Sequence, residues 1–437
     1  MNNVTPKILS GFMELLPEDQ ILFNTILDTI RNNFESFAYL PLDTPIIEYS
    51  SVLLAKAGGE TEKQIYRFNK GDNDLSLRFD LTVPLSRYVA MHKEELTFPF
   101  KRYQIGKSFR GERPQKGRYR EFYQCDIDVI GRSELSVRYD AEIPSIIYNI
   151  FKSLNIGKFT IRINNRKILL GYLESLNLKD ISSDILRIID KIDKIGIDKV
   201  KEEMNNLSID KDKQESIISF IKDYTQEEVI SYLKSFNINN DMYIEGVNEL
   251  NTVLEFMKSY NILKEYYKVD LTIVRGLDYY TSTVYETVLD DYLSLGSICS
   301  GGRYNDLTAL YTNEVLPGVG ISIGLTRLFS VLKDNNIISS SRKSVADILL
   351  VSIDNNNYDY ILSLSNTLRS NNIKTDIYYE DKGMKQKMRY ADKLSIPYVI
   401  VIGEDEVNSK TVTLKNMILG TQDNLTIEEV LEKFKKR

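Results

Sequence analysis

From Lys101 to Arg120 the chain carries Lys101, Arg102, Lys107, Arg110, Arg113, Lys116, Arg118 and Arg120 against a single acid, Glu112. Within it, Phe109-Arg-Gly-Glu-Arg-Pro-Gln-Lys-Gly-Arg-Tyr-Arg-Glu-Phe-Tyr-Gln-Cys-Asp-Ile-Asp128 has alternating flanks around Pro114 and Gly117. It reads as a hairpin with an arginine-loaded loop. Guanidinium groups present paired donors to phosphate oxygens, so such a hairpin is equipped for a triphosphate or a nucleic-acid backbone. A solvated basic loop is the plainer alternative. The returning strand ends in Gln124, Asp126 and Asp128 at period two, which puts all three on one sheet face. A floor of amide and carboxylate groups suits an amine and a second donor of a small ligand. The exposed face of an edge strand would have the same pattern.

Two further clusters have chemical potential. In Val274-Arg-Gly-Leu-Asp-Tyr-Tyr-Thr-Ser-Thr-Val284, Gly276 lets the backbone bend beside Arg275, and Tyr279 and Tyr280 supply hydroxyls on rigid rings. With 28 tyrosines in the chain, an ordinary tyrosine-rich strand is also credible. The third cluster, Cys299-Ser-Gly-Gly-Arg-Tyr-Asn-Asp306 followed by Gly318-Val-Gly-Ile-Ser-Ile-Gly-Leu-Thr-Arg327, alternates glycine along strand-like runs, a sign of close approach by a ligand or another backbone. The spacing of a dinucleotide fingerprint fails at Ile323, and no phosphate-loop consensus is present.

These residues need rigid elements to hold them. The chain has 437 residues, 42% hydrophobic and 27% charged, which predicts about three domains with real cores. No apolar run approaches the length of a membrane span and the first ten residues lack a secretory core, so a soluble, cytoplasmic protein without membrane contact is expected. Cys125, Cys299 and His92, the chain's whole cysteine and histidine content, cannot fill a thiolate and imidazole metal site, and no His/Cys metal is expected. A net charge of −6 argues against indiscriminate coating of nucleic acid but permits a local basic surface.

Apolar spacing predicts an amphipathic helix from Pro17 to about Phe37, a strand at Phe100 to Ile105 and a helix from about Val83 to Glu94. This irregular order predicts an α+β fold with a largely antiparallel sheet over 1–167, resumed over 263–333. Residues 168–262, charged at helical period with few glycines and no prolines, read as a helical insertion. Residues 334–344 have linker composition. The runs Ile348 to Val351 and Val399 to Ile402 then bracket amphipathic stretches, predicting an α/β domain over 345–437.

The residues resemble the histidyl-tRNA synthetases, a family of class II aminoacyl-tRNA synthetases. The segment containing Pro45 is similar to motif 1, Phe109 to Asp128 to motif 2, and Gly318 to Arg327 to motif 3. The more specific matches are Arg275 to Tyr280 and Ser300 to Tyr304, similar to two signature peptides of the histidine enzymes, and the loop Arg113 to Arg120. The resemblance implies an antiparallel-sheet catalytic domain interrupted by the insertion, followed by an anticodon-binding domain. It implies activation of L-histidine by ATP to histidyl-adenylate, with Mg2+ on the β and γ phosphates, and transfer of the histidyl group to tRNA(His). A homodimer built through motif 1 is implied too.

Residue by residue, Arg110 and Arg275 match the α-phosphate arginines that act in catalysis, and Glu112, Arg118 and Arg327 match further ATP contacts. Asp80, Leu81 and Thr82 match the tripeptide that binds the amino group, with Gln124 contributing. Asp128 with Tyr279 and Tyr280 match the imidazole readers, and Arg113, Gln115 and Lys116 the contacts to the tRNA acceptor end. Lys382, Lys385, Lys387 and Arg389 lie on a predicted helix of the terminal domain and suit the anticodon limb. The pattern departs at Thr326, where the class has Glu, and at Asp80 and Asp128, where the bacterial branch has Glu. The competing reading is the non-catalytic regulatory subunit of ATP phosphoribosyltransferase, a paralogue that generally lacks the terminal domain.

Overall fold

The structure is a computed structural model and describes residues 4–55, 60–113, 117–222, 224–274, 280–305, 308–309, 311–354 and 356–435. The chain divides into two compact units, Met1–Met13 with Leu27–Ile338 and Glu14–Ile26 with Ser339–Arg437.

An eight-stranded sheet organises the first unit, in the order Leu40–Pro41, Phe100–Phe109, Glu121–Ile130, Gly318–Gly324, Cys299–Tyr304, Tyr280–Leu289, Phe159–Asn165 and Tyr267–Val269. The six inner strands are antiparallel and only the two rim pairings are parallel. The expected hairpin supplies its second and third strands, with Phe100 opposite Ile130 and Phe109 opposite Glu121 in unbroken register. Behind the sheet packs the helix Tyr139–Leu154, whose Ile143, Ile146, Ile147 and Ile150 are buried at the spacing of one helical face. A small antiparallel sheet of Ile47–Tyr49, Asn73–Leu77 and Arg67–Lys70 precedes the helix Thr82–His92.

Between the strands Phe159–Asn165 and Tyr267–Val269 the chain is helical, from Arg166–Ser175 through Lys211–Lys222 to Asp241–Ser259. Its own apolar residues hold this segment together. Tyr172 stacks on Phe220 with ring centroids 3.9 Å apart, and Asn240 caps the last helix by accepting from the Tyr243 amide at 3.0 Å.

The second unit contains a mixed sheet ordered Thr375–Ile377, Ile348–Ser352, Tyr398–Ile402, Thr411–Asn416 and Gln422–Thr426, with the first three strands parallel. Ile348, Leu350, Ile400 and Ile402 point into one apolar cluster and Leu349, Val351 and Val399 into the other. Burial on both faces is why these strands read as continuous apolar runs rather than as alternation. The linker-like stretch is anchored within this unit, where Ser340 donates to Asp19 at 2.8 Å. One basic residue of the helix Met384–Lys393 departs from expectation. Lys387 is fully buried and its Nζ donates to the Ser352 carbonyl at 2.7 Å, so it fastens the helix to the sheet, whereas Lys382, Lys385 and Arg389 are exposed.

Candidate active site

The strand Glu121–Ile130 lies inside the sheet, so the face bearing Gln124, Asp126 and Asp128 is a buried floor and not an exposed edge. Register supplies Asp128 with partners from both sides. Arg102 stands directly across the hairpin, fully buried, with Nη2 2.5 Å from the Asp128 carboxylate. Tyr304, two strands away, donates its hydroxyl to the same carboxylate at 2.8 Å. The strand between them can have no side chains in the way. A Cβ on Gly320 would overlap the Asp128 carboxylate, and one on Gly318 would overlap the Tyr304 ring. Burial pushes the Asp128 carboxyl up to about 6, against the opposing pull of Arg102 and Tyr304. Its neighbour Asp126 is pushed up to about 7, again chiefly by burial.

Asp80 sits where the chain turns into the helix Thr82–His92 and accepts from the Val83 amide at 2.9 Å, so one carboxylate oxygen caps the helix. Burial raises its pKa. Gln124 donates to the Ser322 hydroxyl at 2.8 Å, which fixes which way its amide faces.

The other end of the cleft is cationic. Arg110 donates from Nε to the Phe79 carbonyl at 3.1 Å, and its guanidinium centre lies 5.0 Å from the centroid of the Phe122 ring. Arg118 pairs with Glu112 at 3.2 Å, and Arg120 holds the Glu112 carbonyl from its Nε at 3.1 Å. Gly117, in the left-handed region at φ +74°, brings the loop against the Arg327 side chain. Arg327 itself donates to the Leu295 carbonyl, and burial and then the nearby Arg118 charge lower its pKa. Two guanidinium groups that raise each other's energy form a site that an anion relieves. Thr326 is buried and accepts from the Tyr123 amide at 2.7 Å, pinning the helix Leu325–Asp334 to the floor strand.

A cleft of about 600 Å³ joins the two ends, within the usual range for small-molecule sites. Asp80, Thr82, Arg110, Glu112, Arg118, Gln124, Asp128, Tyr280 and Arg327 line it together. Leu81 does not line it and is fully buried below the surface. Arg113 is exposed beside it. Arg275, Tyr279, Gln115 and Lys116 lie outside the described residues. Sequence reasoning gave no role to Arg102, Tyr304 and Ser322, and placed Asp126 on the floor without assigning it a contact. Arg102 and Ser322 become visible only through cross-strand register, while Tyr304 stood in the quoted signature peptide and Asp126 on the period-two face.

The chain matches the family profile described as Histidyl-tRNA synthetase over residues 11–328 and an Anticodon binding domain over 347–437. It is 56% identical to the Histidine--tRNA ligase of Clostridium tetani over 433 residues, covering 99% of this chain and 98% of that protein. The crystal structure of histidyl-tRNA synthetase from Nostoc sp. PCC 7120 superposes with a TM-score of 0.93 at 39% identity, covering 100% of both chains. A Bacillus halodurans structure described as an ATP phosphoribosyltransferase regulatory subunit/histidyl-tRNA synthetase has the same fold at 18% identity and a TM-score of 0.75, over 92% of this chain and 99% of that one. A full-length relationship of this strength, over a class II catalytic sheet that carries both an acidic floor and an arginine-lined end, assigns the chain to the histidyl-tRNA synthetase family.

Proposed function

We propose that the cleft joins L-histidine to ATP and that the protein then passes the histidyl group to the terminal ribose of tRNA(His). The observation that carries this reading is the Asp128 carboxylate, buried and locked between Arg102 and the Tyr304 hydroxyl on the cleft floor. A neutral imidazole offers one N–H and one lone pair. Asp128 accepts the first and the hydroxyl of Tyr280, with Tyr279, serves the second. Side chains without both groups would leave buried polar atoms unpaired, which is how such a site rejects other amino acids. Asp80, Thr82 and Gln124 hold the amino group.

The histidine carboxylate attacks the α-phosphorus and pyrophosphate leaves, so charge grows on the α-phosphate oxygens in the transition state. Arg110 and Arg275 stabilise it, while Arg118, Arg327 and Glu112 hold the rest of the ATP. Among the described residues no three His, Cys, Asp or Glu side chains come together as a metal cage. The donor set therefore fits Mg2+ carried by the triphosphate, with Glu112 and Glu286 as the carboxylates at hand in the cleft. Bound there, Mg2+ neutralises phosphate charge. Arg113, Gln115 and Lys116 meet the acceptor end of the tRNA, and residues 345–437 meet its anticodon limb, with exposed Lys382, Lys385 and Arg389 giving salt-sensitive contacts. We place this work in the cytoplasm, where tRNA is charged, and divide the chain as 1–167 and 263–333 catalytic, 168–262 inserted and 334–344 linking. The regulatory paralogue is the weaker reading, because this chain keeps the terminal domain and the cationic end of the cleft. ATP–pyrophosphate exchange measured with each of the twenty amino acids is the test. Exchange is expected with histidine alone, and equal exchange with any other amino acid, or none with histidine, sinks the proposal.

The protein works as a homodimer. In support, Leu40, Ile46, Ile47 and Tyr49 of the motif 1 segment expose 42–58% of their surface, apolar side chains close in sequence of the kind an isologous interface covers. Light scattering at micromolar concentration is expected to give twice the 50.5 kDa chain mass. A mass of one chain overturns it.

A further inference from the structure

Three buried oxygens of the cleft have no hydrogen-bond partner among the described residues: Asp80 Oδ2, Gln124 Oε1 and Asp126 Oδ1. Their residues are 2%, 7% and 2% exposed. Buried acceptors are ordinarily satisfied, so three together at one ligand cleft demand a donor. The side-chain donors of Gln104 and Arg78 are engaged elsewhere. Gln104, directly across from Asp126 in register, gives its amide hydrogens to Asp43 at 3.0 Å and Thr44 at 3.1 Å. Arg78 donates to the carbonyls of Lys107 and Thr44. Arg102 forms its ion pair with Asp128, and its guanidinium nitrogens make no hydrogen bond to the three oxygens. Ser322 takes the Gln124 N–H and gives its own hydrogen to Asp126, which leaves Gln124 Oε1 and Asp126 Oδ1 as the free ends of one hydrogen-bonded chain.

A cationic donor suits this set, which includes two acids. Asp80 and Asp126 are both buried acids without a salt bridge among the described residues, and burial first, then the neighbouring Asp128 and Asp80 charges, hold the Asp126 carboxyl up to about 7. A primary ammonium carries one positive charge and three N–H bonds, which these acceptors share with Thr82. Residues 124 and 126 lie about 7 Å apart along one strand face, and Asp80 lines the same cleft from the turn before the helix Thr82–His92.

We propose that Asp126 is a substrate-binding residue, the third acceptor that completes with Asp80 and Gln124 a cradle for the α-ammonium group of the amino acid. This rests on the reading of the cleft as the histidine-activating site. The cradle makes the enzyme selective for a free primary amine, which N-acylated or deaminated histidine derivatives lack.

The test compares the affinity of L-histidine with that of 3-(imidazol-4-yl)propionate, the same molecule without its amino group, by calorimetry on the full-length enzyme and its Asp126→Asn variant. Asparagine keeps the size and removes the charge. Histidine is expected to bind the variant about tenfold more weakly or worse, and the deaminated analogue within about twofold of wild type, because only charge-assisted hydrogen bonds to the ammonium are lost. Equal losses for both ligands mean that Asp126 only shapes the floor, and no loss for either means that it bears no ammonium; both results overturn the proposal. A second measurement needs no variant: Nα,Nα-dimethylhistidine, with one N–H left, should bind wild type at least about tenfold more weakly than histidine, and equal binding also overturns it. Wild type that fails to exchange pyrophosphate with histidine would instead refute the reading of the cleft itself.

Discussion

Replacing Arg110 by alanine is expected to slow histidyl-adenylate formation about 10²- to 10³-fold while the dissociation constant for histidine changes less than about threefold. The guanidinium is held in advance of the reaction, by the Phe79 carbonyl on one side and by the face of Phe122 beneath it. A cation that needs no rearrangement to meet developing phosphate charge acts mainly on the transition state, and losses of this kind commonly reach 10² to 10³ in rate. In the proposed function the histidine ring is read at the floor by Asp128 and its partners, and not by this group. Lysine at the position should rescue little, since a point charge on a flexible stem neither stacks on Phe122 nor forks toward phosphate oxygens. Rapid-quench measurement of adenylate formation, beside calorimetric binding of histidine, separates the two effects. Equal losses in affinity and rate would assign Arg110 to substrate binding and remove it from catalysis.

Much of this arrangement is legible in the chain because strand periodicity is local. The period-two line Gln124, Asp126 and Asp128 faces one way whatever packs against it, and the strands Phe100–Phe109 and Glu121–Ile130 pair as the expected hairpin. The unbroken apolar runs at Ile348 and Val399 likewise announce strands covered on both faces. What periodicity cannot supply is the neighbour. Arg102 is one of eight basic residues in its stretch and looks like part of a charged surface, but register sets it opposite Asp128 in the core. Lys387 stands among exposed basic residues on one helix, yet its stem passes through the apolar layer to reach a carbonyl. Thr326 breaks the class pattern, and its hydroxyl is used on the backbone of the floor strand. In each case the deciding contact comes from a segment remote in sequence.

The same lesson gives the largest expected effect on stability. Arg303 belongs to a glycine-flanked signature peptide beside the cleft, and its type suggests an anion-binding role, but the structure turns it inward. Its Nε lies 3.1 and 3.0 Å from the two Asp140 carboxylate oxygens and its Nη2 lies 2.5 Å from one of them. Its remaining hydrogens reach the carbonyls of Leu135 and Ser136, both at 3.0 Å. Arg303 is 7% exposed and Asp140 fully buried. Arg303→Met would therefore strand a carboxylate and two carbonyls in the core, and breaking a buried pair from one side typically costs about 3–5 kcal/mol. The catalytic unit should unfold at a clearly lower urea concentration, followed by the fluorescence of its tyrosines. Because most of that loss is the lone charge, the double variant Arg303→Met, Asp140→Ala should recover part of the midpoint. A double variant no more stable than the single one would show that the arginine acts through its packing and not through the pair. The consequence reaches the substrate, since Tyr304 follows Arg303 on the same strand and its hydroxyl holds Asp128. Arg303→Lys retains the charge but not the fork. It should fold and still weaken histidine binding, because the strand that aims Tyr304 is no longer held at four points.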